Sequence, residues 1–189
     1  MSLSAFDRSR AILVAVTLCG AMVSSAQGGA GSVPVFVLNG VVKERDGRAP
    51  LADVQVLATD TVDKSETHLR LSSHTDRRGK YNMLLPYGPV YRVEYQVHGH
   101  VTKRVIIDLS HVRPKDQEGG HAMGLEIALF TELEKVDYGA FDTPVAICRW
   151  ERREKRFQWD EDYTRKREME LDELEKQHVA MLHSGGNTP

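Results

Sequence analysis

The sequence predicts an all-β protein, a seven-stranded antiparallel β-sandwich with an N-terminal signal peptide and a C-terminal charged α-helix. Three observations lead to this fold class. An uncharged apolar run follows two arginines near the N-terminus, short segments of alternating apolar and polar residues fill the middle, and the last quarter of the chain is densely charged. No helical period separates the alternating segments, which favours two packed antiparallel sheets over an α/β fold.

The first 26 residues have the pattern of a secretory signal peptide. Arg8 and Arg10 precede an uncharged apolar run at 11–23, and the small residues 24–26 follow it. A run of this length is short for a membrane span, so we expect cleavage near Ala26 and export to the periplasm, the outer envelope or the extracellular space. The mature chain is then expected to have no transmembrane segment. A buried N-terminal strand or an uncleaved anchor is the alternative.

After cleavage, Cys148 is the single cysteine of the mature chain. The exported protein therefore cannot form an internal disulfide, and its stability must come from packing. No histidine or glycine-rich elbow adjoins Cys148 in the sequence. We expect it to be a small buried hydrophobic residue and not a nucleophile.

Alternation with a period of two predicts the strands. It is clearest at Tyr91, Val93, Tyr95 and Val97, which give the fifth strand one apolar and one wet face. In the sixth strand, Val101, Lys103, Val105, Ile107 and Leu109 alternate with Thr102, Arg104 and Asp108. The seven predicted strands lie within 33–42, 53–58, 68–71, 81–85, 91–98, 101–109 and 125–129.

The stretch 73–81 is the strongest turn signal in the chain. Asp76 and Gly79 stand between two strand-like segments. An aspartate accepts hydrogen bonds from its own turn, and glycine takes a positive φ without a Cβ clash. We therefore expect a tight turn here.

The C-terminal region is charged but not basic. From 149 to 176, ten acidic and nine basic residues are interleaved, and the whole chain has 25 Lys and Arg against 27 Asp and Glu. This balance gives no electrostatic reason to bind nucleic acid. Acidic residues after Trp159 and a thin stripe predict a solvated helix to about His183. The stripe contains Tyr163, Arg167, Leu171, Leu174, His178 and Met181.

These patterns divide the chain into six parts. They are a signal peptide at 1–26, a flexible leader at 27–32, a β-sandwich at 33–130, a connecting segment at 131–158, a charged helix at 159–183 and a disordered tail at 184–189.

Four segments resemble the carboxypeptidase regulatory-like domain, a transthyretin-like β-sandwich. They are 39–42 with Asp46-Gly47, then 50–56, 75–81 and 97–103, and together they cover roughly residues 35 to 110. The resemblance implies a module that accompanies the zinc carboxypeptidase without being catalytic itself.

Sequence motifs give no support for an enzyme. There is no H-x-x-E or H-E-x-x-H zinc motif, no G-x-S-x-G elbow, and no C-terminal Tyr-Arg-Gly-Ser signature of the transthyretin-like hydrolase. The closest histidines, His98 and His100, fall on the polar side of a predicted turn. We therefore expect no catalytic residue, no metal site and no cofactor.

Aromatic residues in the charged region are the candidate interaction site: Trp150, Phe157, Trp159 and Tyr163. Aromatic side chains exposed among charges often mark an interface. Alternatively, they pack the tail back onto the sandwich. The expected function is a secreted, non-catalytic module that binds an unknown envelope protein or a glycan. A carbohydrate-binding domain and a hydrolase of transthyretin-like fold are the alternatives.

Overall fold

The computed structural model describes residues 33–61 and 69–185. Within these ranges it contains nine strands, two α-helices and one short 3₁₀ helix. The strands are β1 (Val35–Glu44), β2 (Gln55–Asp60), β3 (Arg70–His74), β4 (Lys80–Pro86), β5 (Val90–Gln96), β6 (Lys103–Asp108), β7 (His121–Leu129), β8 (Ala146–Glu151) and β9 (Arg156–Trp159). The helices are α1 (Pro114–Gln117), the 3₁₀ helix (Gly139–Asp142) and α2 (Glu161–Gly185).

The strands form two sheets, which confirms a mainly β fold with a C-terminal helix. The smaller sheet has the order β4-β1-β7 and the larger one β3-β2-β5-β6-β8-β9. The predicted seven-stranded, wholly antiparallel arrangement is wrong in its details, because the described residues form nine strands and two pairs, β1–β7 and β6–β8, are parallel. The two additional strands, β8 and β9, span 146–151 and 156–159. They lie in the predicted connection at 131–158 and reach the first residue of the predicted helix; in this region the sequence suggests only a short edge strand at 144–147.

A single apolar core lies between the sheets. Its fully buried aromatic side chains include Phe36 of β1 and Tyr91 and Tyr95 of β5. The hydroxyl groups of Tyr81 and Tyr95 are 2.9 Å apart, and Tyr81 also donates to the carbonyl of Leu125. The buried face of β5 is the one that its period of two predicted. Burial of these rings supplies much of the free energy that holds the sheets together.

The predicted turn at Asp76 and Gly79 is present. The carboxylate of Asp76 accepts hydrogen bonds from the backbone N–H groups of Arg78 and Lys80, at 2.8 and 2.9 Å. Gly79 has a φ of +70°, and a Cβ at this position would lie 2.3 Å from the carbonyl oxygen of Val42. The turn connects β3 of one sheet to β4 of the other, so it also joins the two layers.

Helix α2 packs along one side of the sandwich through the stripe predicted from the sequence. Leu171 and His178 are fully buried, and Arg167 and Leu174 nearly so. Tyr163 donates a 2.6 Å hydrogen bond to the carbonyl of Pro144. No helix in the described part of the chain is both long and apolar enough to cross a membrane. The predicted signal peptide and leader lie outside the described residues, as do positions 186–189 of the predicted tail.

Candidate functional site

Ionisable and aromatic side chains meet where α2 covers one end of the sandwich. We call this group the junction cluster and define it as Asp46, Lys103, Phe130, Tyr138 and His178. The residues come from five separate places: the turn after β1, the start of β6, the end of β7, the segment before the 3₁₀ helix, and α2. The fold thus brings together side chains up to 132 positions apart in sequence.

Lys103 is the most unusual member of the cluster because it is a lysine placed in the core. Its side chain lies on the inward face of β6, and the residue is only 5% exposed. The ammonium nitrogen is 4.5 Å from the ring centre of Phe130 and 5.3 Å from that of Phe141, within range for cation–π contacts.

The surroundings of Lys103 change its protonation. Burial lowers its pKa from 10.5 to about 7; the carboxylate of Glu175 opposes this shift and the guanidinium of Arg45 adds to it. Removing an ammonium group from water without a close carboxylate disfavours the charged form. Lys103 is therefore a neutral amine in a large fraction of molecules near neutral pH.

His178 links Tyr138 to Asp46. Its Nδ1 is 2.7 Å from the Tyr138 hydroxyl, and its Nε2 is 3.2 Å from a carboxylate oxygen of Asp46. Both ring nitrogens thus have partners although the histidine is fully buried. Burial raises the pKa of Tyr138. The order carboxylate, imidazole, hydroxyl is the arrangement in which a histidine is oriented by an acid and acts on a hydroxyl group.

Phe130 connects the two halves of the cluster. Its ring centre is 4.9 Å from that of His178, in an edge-to-face arrangement, while the Lys103 ammonium lies against the same ring. Phe141 packs on Phe130 at 5.6 Å. These rings exclude water around the lysine and the imidazole, which strengthens the electrostatic effects of nearby charges.

The segments that carry the cluster are fixed by their own contacts. Asp160 accepts a hydrogen bond from the backbone N–H of Tyr163 and so caps the first turn of α2. Arg167 donates to the carbonyl of Ala140, which ties α2 to the 3₁₀ helix next to Tyr138. Arg45, beside Asp46, pairs with Glu175 of α2 at 3.0 Å. The cluster is therefore held in place on both sides.

The candidate interaction residues lie in other places. Trp150 is 8% exposed and packs against Phe157, with ring centres 5.1 Å apart, and Phe157 in turn contacts Phe36 at 4.7 Å. Trp150 and Phe157 therefore pack against the sandwich, and whether they also bind a partner stays a prediction. Trp150 and Trp159 also contribute to a shallow groove of about 140 Å³ along β8 and β9. Tyr163 anchors α2 to Pro144.

A second tyrosine–histidine pair lies near the aromatic residues of β8 and β9. The Tyr87 hydroxyl is 2.6 Å from Nδ1 of His121, whose ring contacts Trp150 at 4.7 Å. Burial lowers the pKa of His121, and nearby Asp116 opposes this. His121 begins β7 and Leu129 ends it, so the strand places this pair and the junction cluster about 26 Å apart.

The junction cluster was not predicted from the sequence, although the sequence contains two signals for it. Lys103 stands among the apolar residues of an alternating strand, and His178 stands in the apolar stripe of a helix. A polar residue at a predicted core position is unusual and indicates a buried partner or a functional role. Asp46 and Tyr138 carried no comparable signal, because their proximity arises only from the tertiary fold.

Two further observations concern metal-ligating side chains and the thiol of Cys148. In the described part of the chain, no group of three or more His, Cys, Asp or Glu side chains is arranged to hold a metal ion. Cys148 is fully buried, and burial raises the pKa of its thiol to about 12. The prediction that Cys148 is a buried residue is confirmed, and its high pKa keeps the thiolate scarce at neutral pH.

Comparison with known proteins gives matches among solved structures only. No protein-family model matches the sequence, and the search of curated proteins finds no match. Catechol 1,2-dioxygenase from Acinetobacter sp. ADP1 matches with a TM-score of 0.41 and 16% identity, over 62% of this chain and 59% of that one. 3-Chlorocatechol 1,2-dioxygenase from Rhodococcus opacus 1CP matches with a TM-score of 0.39 and 13% identity, over 53% of this chain and 62% of that one. Hydroxyquinol 1,2-dioxygenase from Pseudomonas putida DLL-E4 matches with a TM-score of 0.38 and 8% identity, over 54% of this chain and 58% of that one.

These findings correct the expectations that rested on the sequence resemblance. The solved structures that match are dioxygenases and not carboxypeptidase regulatory-like or transthyretin-like domains, and no family model supports that membership. The same matches correct the expected non-catalytic binding module, its carbohydrate-binding and hydrolase alternatives, and the expectation that the chain is not an enzyme. Because the TM-scores are about 0.4 and this chain spans about three fifths of each dioxygenase, their activity is not transferred to it.

Proposed function

We propose that this chain is an enzyme whose acid–base site is the junction cluster, with Lys103 as the base and Tyr138 as the group that binds a substrate oxygen. The observation that carries the proposal is the hydrogen-bonded chain from Asp46 through His178 to Tyr138, built against the same phenylalanine ring as the buried lysine. A buried lysine and a buried histidine beside a partly buried tyrosine are usual components of proton-transfer sites.

The reaction class that fits these groups is removal of a proton from a carbon next to a carbonyl group. The neutral Lys103 amine accepts the proton and becomes an ammonium, while negative charge develops on the carbonyl oxygen of the substrate. A pKa of about 7 favours this role, because it leaves a free amine at neutral pH that can still hold the proton it takes.

His178 and Asp46 act on the substrate through Tyr138. His178, held by Asp46 on its Nε2 side, fixes the position of the Tyr138 hydroxyl at its Nδ1 side. The same hydroxyl donates a long 3.4 Å hydrogen bond to the carbonyl of Thr131, and a substrate oxygen would replace this weak acceptor. In this arrangement Tyr138 contacts the substrate, and His178 and Asp46 are positioning residues.

Competitive labelling with trace acetic anhydride between pH 5 and 11 tests the proposal. The acetylation rate of each lysine is read by mass spectrometry on the folded protein. We expect Lys103 to reach half of its maximal rate near pH 7, and the labelling of the exposed Lys80 serves as an internal control for the activity of the reagent. A midpoint near 10.5 for Lys103 would overturn the proposal.

Export belongs to the proposal as well. The arginines at 8 and 10, the apolar run at 11–23 and the small residues at 24–26 support a signal peptide that is removed near Ala26. Expression of the full chain in a bacterium with an export pathway, followed by N-terminal sequencing of the exported fraction, tests this. An N-terminus at Gln27 is the expected result, and retention of Met1 in the cytoplasm would contradict it.

A further inference from the structure

We infer that α2 is the gate of the junction cluster, so that a substrate reaches Lys103 only when the C-terminal part of this helix lifts from the sandwich. This inference rests on the proposed function. It begins from burial: Lys103 is 5% exposed and His178 is 0% exposed, so neither is accessible to a substrate while α2 is docked.

The contact between α2 and the sandwich is narrow. Its buried side chains follow one another along a single stripe, Arg167, Leu171, Leu174 and His178, while Met169 on another side of the helix is 75% exposed. Only two of the four stripe residues are apolar, and the others are held by hydrogen bonds. A stripe of this width is thinner than the apolar face by which surface helices usually dock.

The polar contacts of α2 divide between its two halves. Near its start, Tyr163 bonds the carbonyl of Pro144 and Arg167 bonds that of Ala140. Toward its end, Glu175 pairs with Arg45, and His178 bonds Asp46 and Tyr138. The second set lies at the junction cluster itself, so lifting this half of the helix removes His178 from the Phe130 ring, against which the Lys103 ammonium lies.

The start of α2 is built as a fixed point. Asp160 is the one residue between β9 and α2, and its backbone N–H donates to the carbonyl of Ile147 on β8. Its side chain caps the helix at Tyr163, and Thr164 bonds its carbonyl. The helix is thus joined covalently and by several hydrogen bonds at its N-terminal end, which makes this end the pivot.

Leu174→Ala tests the gate, because it removes apolar contact from the stripe without changing a group of the proposed acid–base site. Acetylation of Lys103 is measured at pH 9, where the amine is neutral and its rate reports access. We expect the Lys103 rate to rise at least about tenfold, in line with the cost of truncating a buried leucine. Met169→Ala is the matched control, since it shortens an exposed side chain of the same helix and should leave the rate unchanged.

Hydrogen exchange on the same variants separates opening of the gate from general unfolding. In Leu174→Ala, we expect faster exchange in 172–182 and unchanged exchange in β1 and β5. Faster exchange in α2 with an unchanged Lys103 rate would overturn the gate. The proposed function is contradicted by a different measurement, a Lys103 midpoint near 10.5 in the pH profile. Failure of the gate and failure of the proposed function are therefore distinguishable.

Discussion

A tyrosine hydrogen-bonded to a histidine occurs near each end of β7, and the two pairs have different surroundings. Tyr87 and His121 are half-buried among aromatic rings, with Trp150 and Phe157 against the imidazole. Tyr138 and His178 meet where α2 packs on the sandwich; the histidine, which belongs to α2, is fully buried and also bonds the carboxylate of Asp46. The lysine with the lowered pKa is beside the second pair.

This difference shows that the tyrosine–histidine bond alone does not make a site. At the Tyr87 end, the imidazole serves as one more ring in an aromatic cluster, and its partners are mostly apolar. At the Tyr138 end, the imidazole has a partner on each nitrogen and a base nearby, so a change of protonation at one group affects the others. The surroundings, and not the pair, determine which end is suited to chemistry.

Gly40→Ala should have the largest effect on stability, because it disrupts the pairing of β1 with β7, the strand that has a tyrosine–histidine pair near each end. Gly40 pairs with Leu125 near the middle of β7, and a Cβ on it would lie 1.8 Å from the carbonyl oxygen of Leu125. We expect a loss of unfolding free energy above about 4 kcal/mol, or failure to fold. Denaturant unfolding measures this, with Asn39→Ala as the neighbouring control. A loss below about 1 kcal/mol would show that the strands are not packed this closely.

Phe130→Ala should have the second largest effect on stability. It also distinguishes the Tyr138 end of β7 from the Tyr87 end, because Phe130 contacts Lys103 and His178 at the first of these ends. Loss of a buried phenylalanine is expected to cost about 3–5 kcal/mol, and water entering the space should raise the midpoint of Lys103 labelling. Trp150→Ala is the matched change at the Tyr87 end, where we expect a similar cost and no change in the Lys103 midpoint. An equal shift of the Lys103 labelling midpoint in both variants would contradict the distinction between the Tyr138 and Tyr87 ends of β7.

Lys103→Met should stabilise the protein, by about 1–3 kcal/mol at pH 6. The folded-state pKa of about 7 is below the ordinary 10.5, so the unfolded chain binds more protons between these values and the wild type gains stability as pH rises through them. The advantage of the methionine variant should therefore shrink between pH 7 and 10. Unfolding curves at several pH values measure it, and a constant difference would mean that Lys103 has an ordinary pKa.

The smallest expected difference compares the two tyrosines directly. Tyr138→Phe leaves one nitrogen of a fully buried histidine without its partner and should cost about 1–2 kcal/mol. Tyr87→Phe leaves a half-exposed histidine that water can reach, and about 0.5 kcal/mol is expected. Thermal unfolding of both variants provides the comparison. A larger loss of unfolding free energy for Tyr87→Phe than for Tyr138→Phe would contradict our conclusion that the Tyr138–His178 pair is the more deeply buried of the two.

The sequence predicted the parts of the fold that depend on local pattern. The alternation at Tyr91, Val93 and Tyr95 identified the buried face of β5, and Asp76 with Gly79 identified the turn between the sheets. The strands β8 and β9 were not assigned to the sandwich because they lie in a densely charged segment, although Ala146, Cys148 and Trp150 of β8 alternate with Arg149 and Glu151. Their pairing depends on contacts with β6, which no local pattern records.

The candidate site was less predictable for a related reason. Trp150 and Phe157 were conspicuous as aromatics among charges, yet their rings pack inward against Phe36 and His121. Lys103 and His178 were each at a position of apolar parity, but a single misplaced polar residue does not identify its partners. Asp46 meets His178 only because β1 ends where α2 passes, and that contact is a property of the assembled sandwich.

The pKa of Lys103 tests the central claim most directly. Selective isotope labelling of lysine, with assignment from the Lys103→Met spectrum, allows the side-chain signals of Lys103 to be followed by NMR from pH 5 to 11 in the folded protein. We predict a titration midpoint of about 7 for Lys103. A midpoint near 10.5 would contradict it, because a lysine that stays charged at neutral pH cannot be the base of the proposed site.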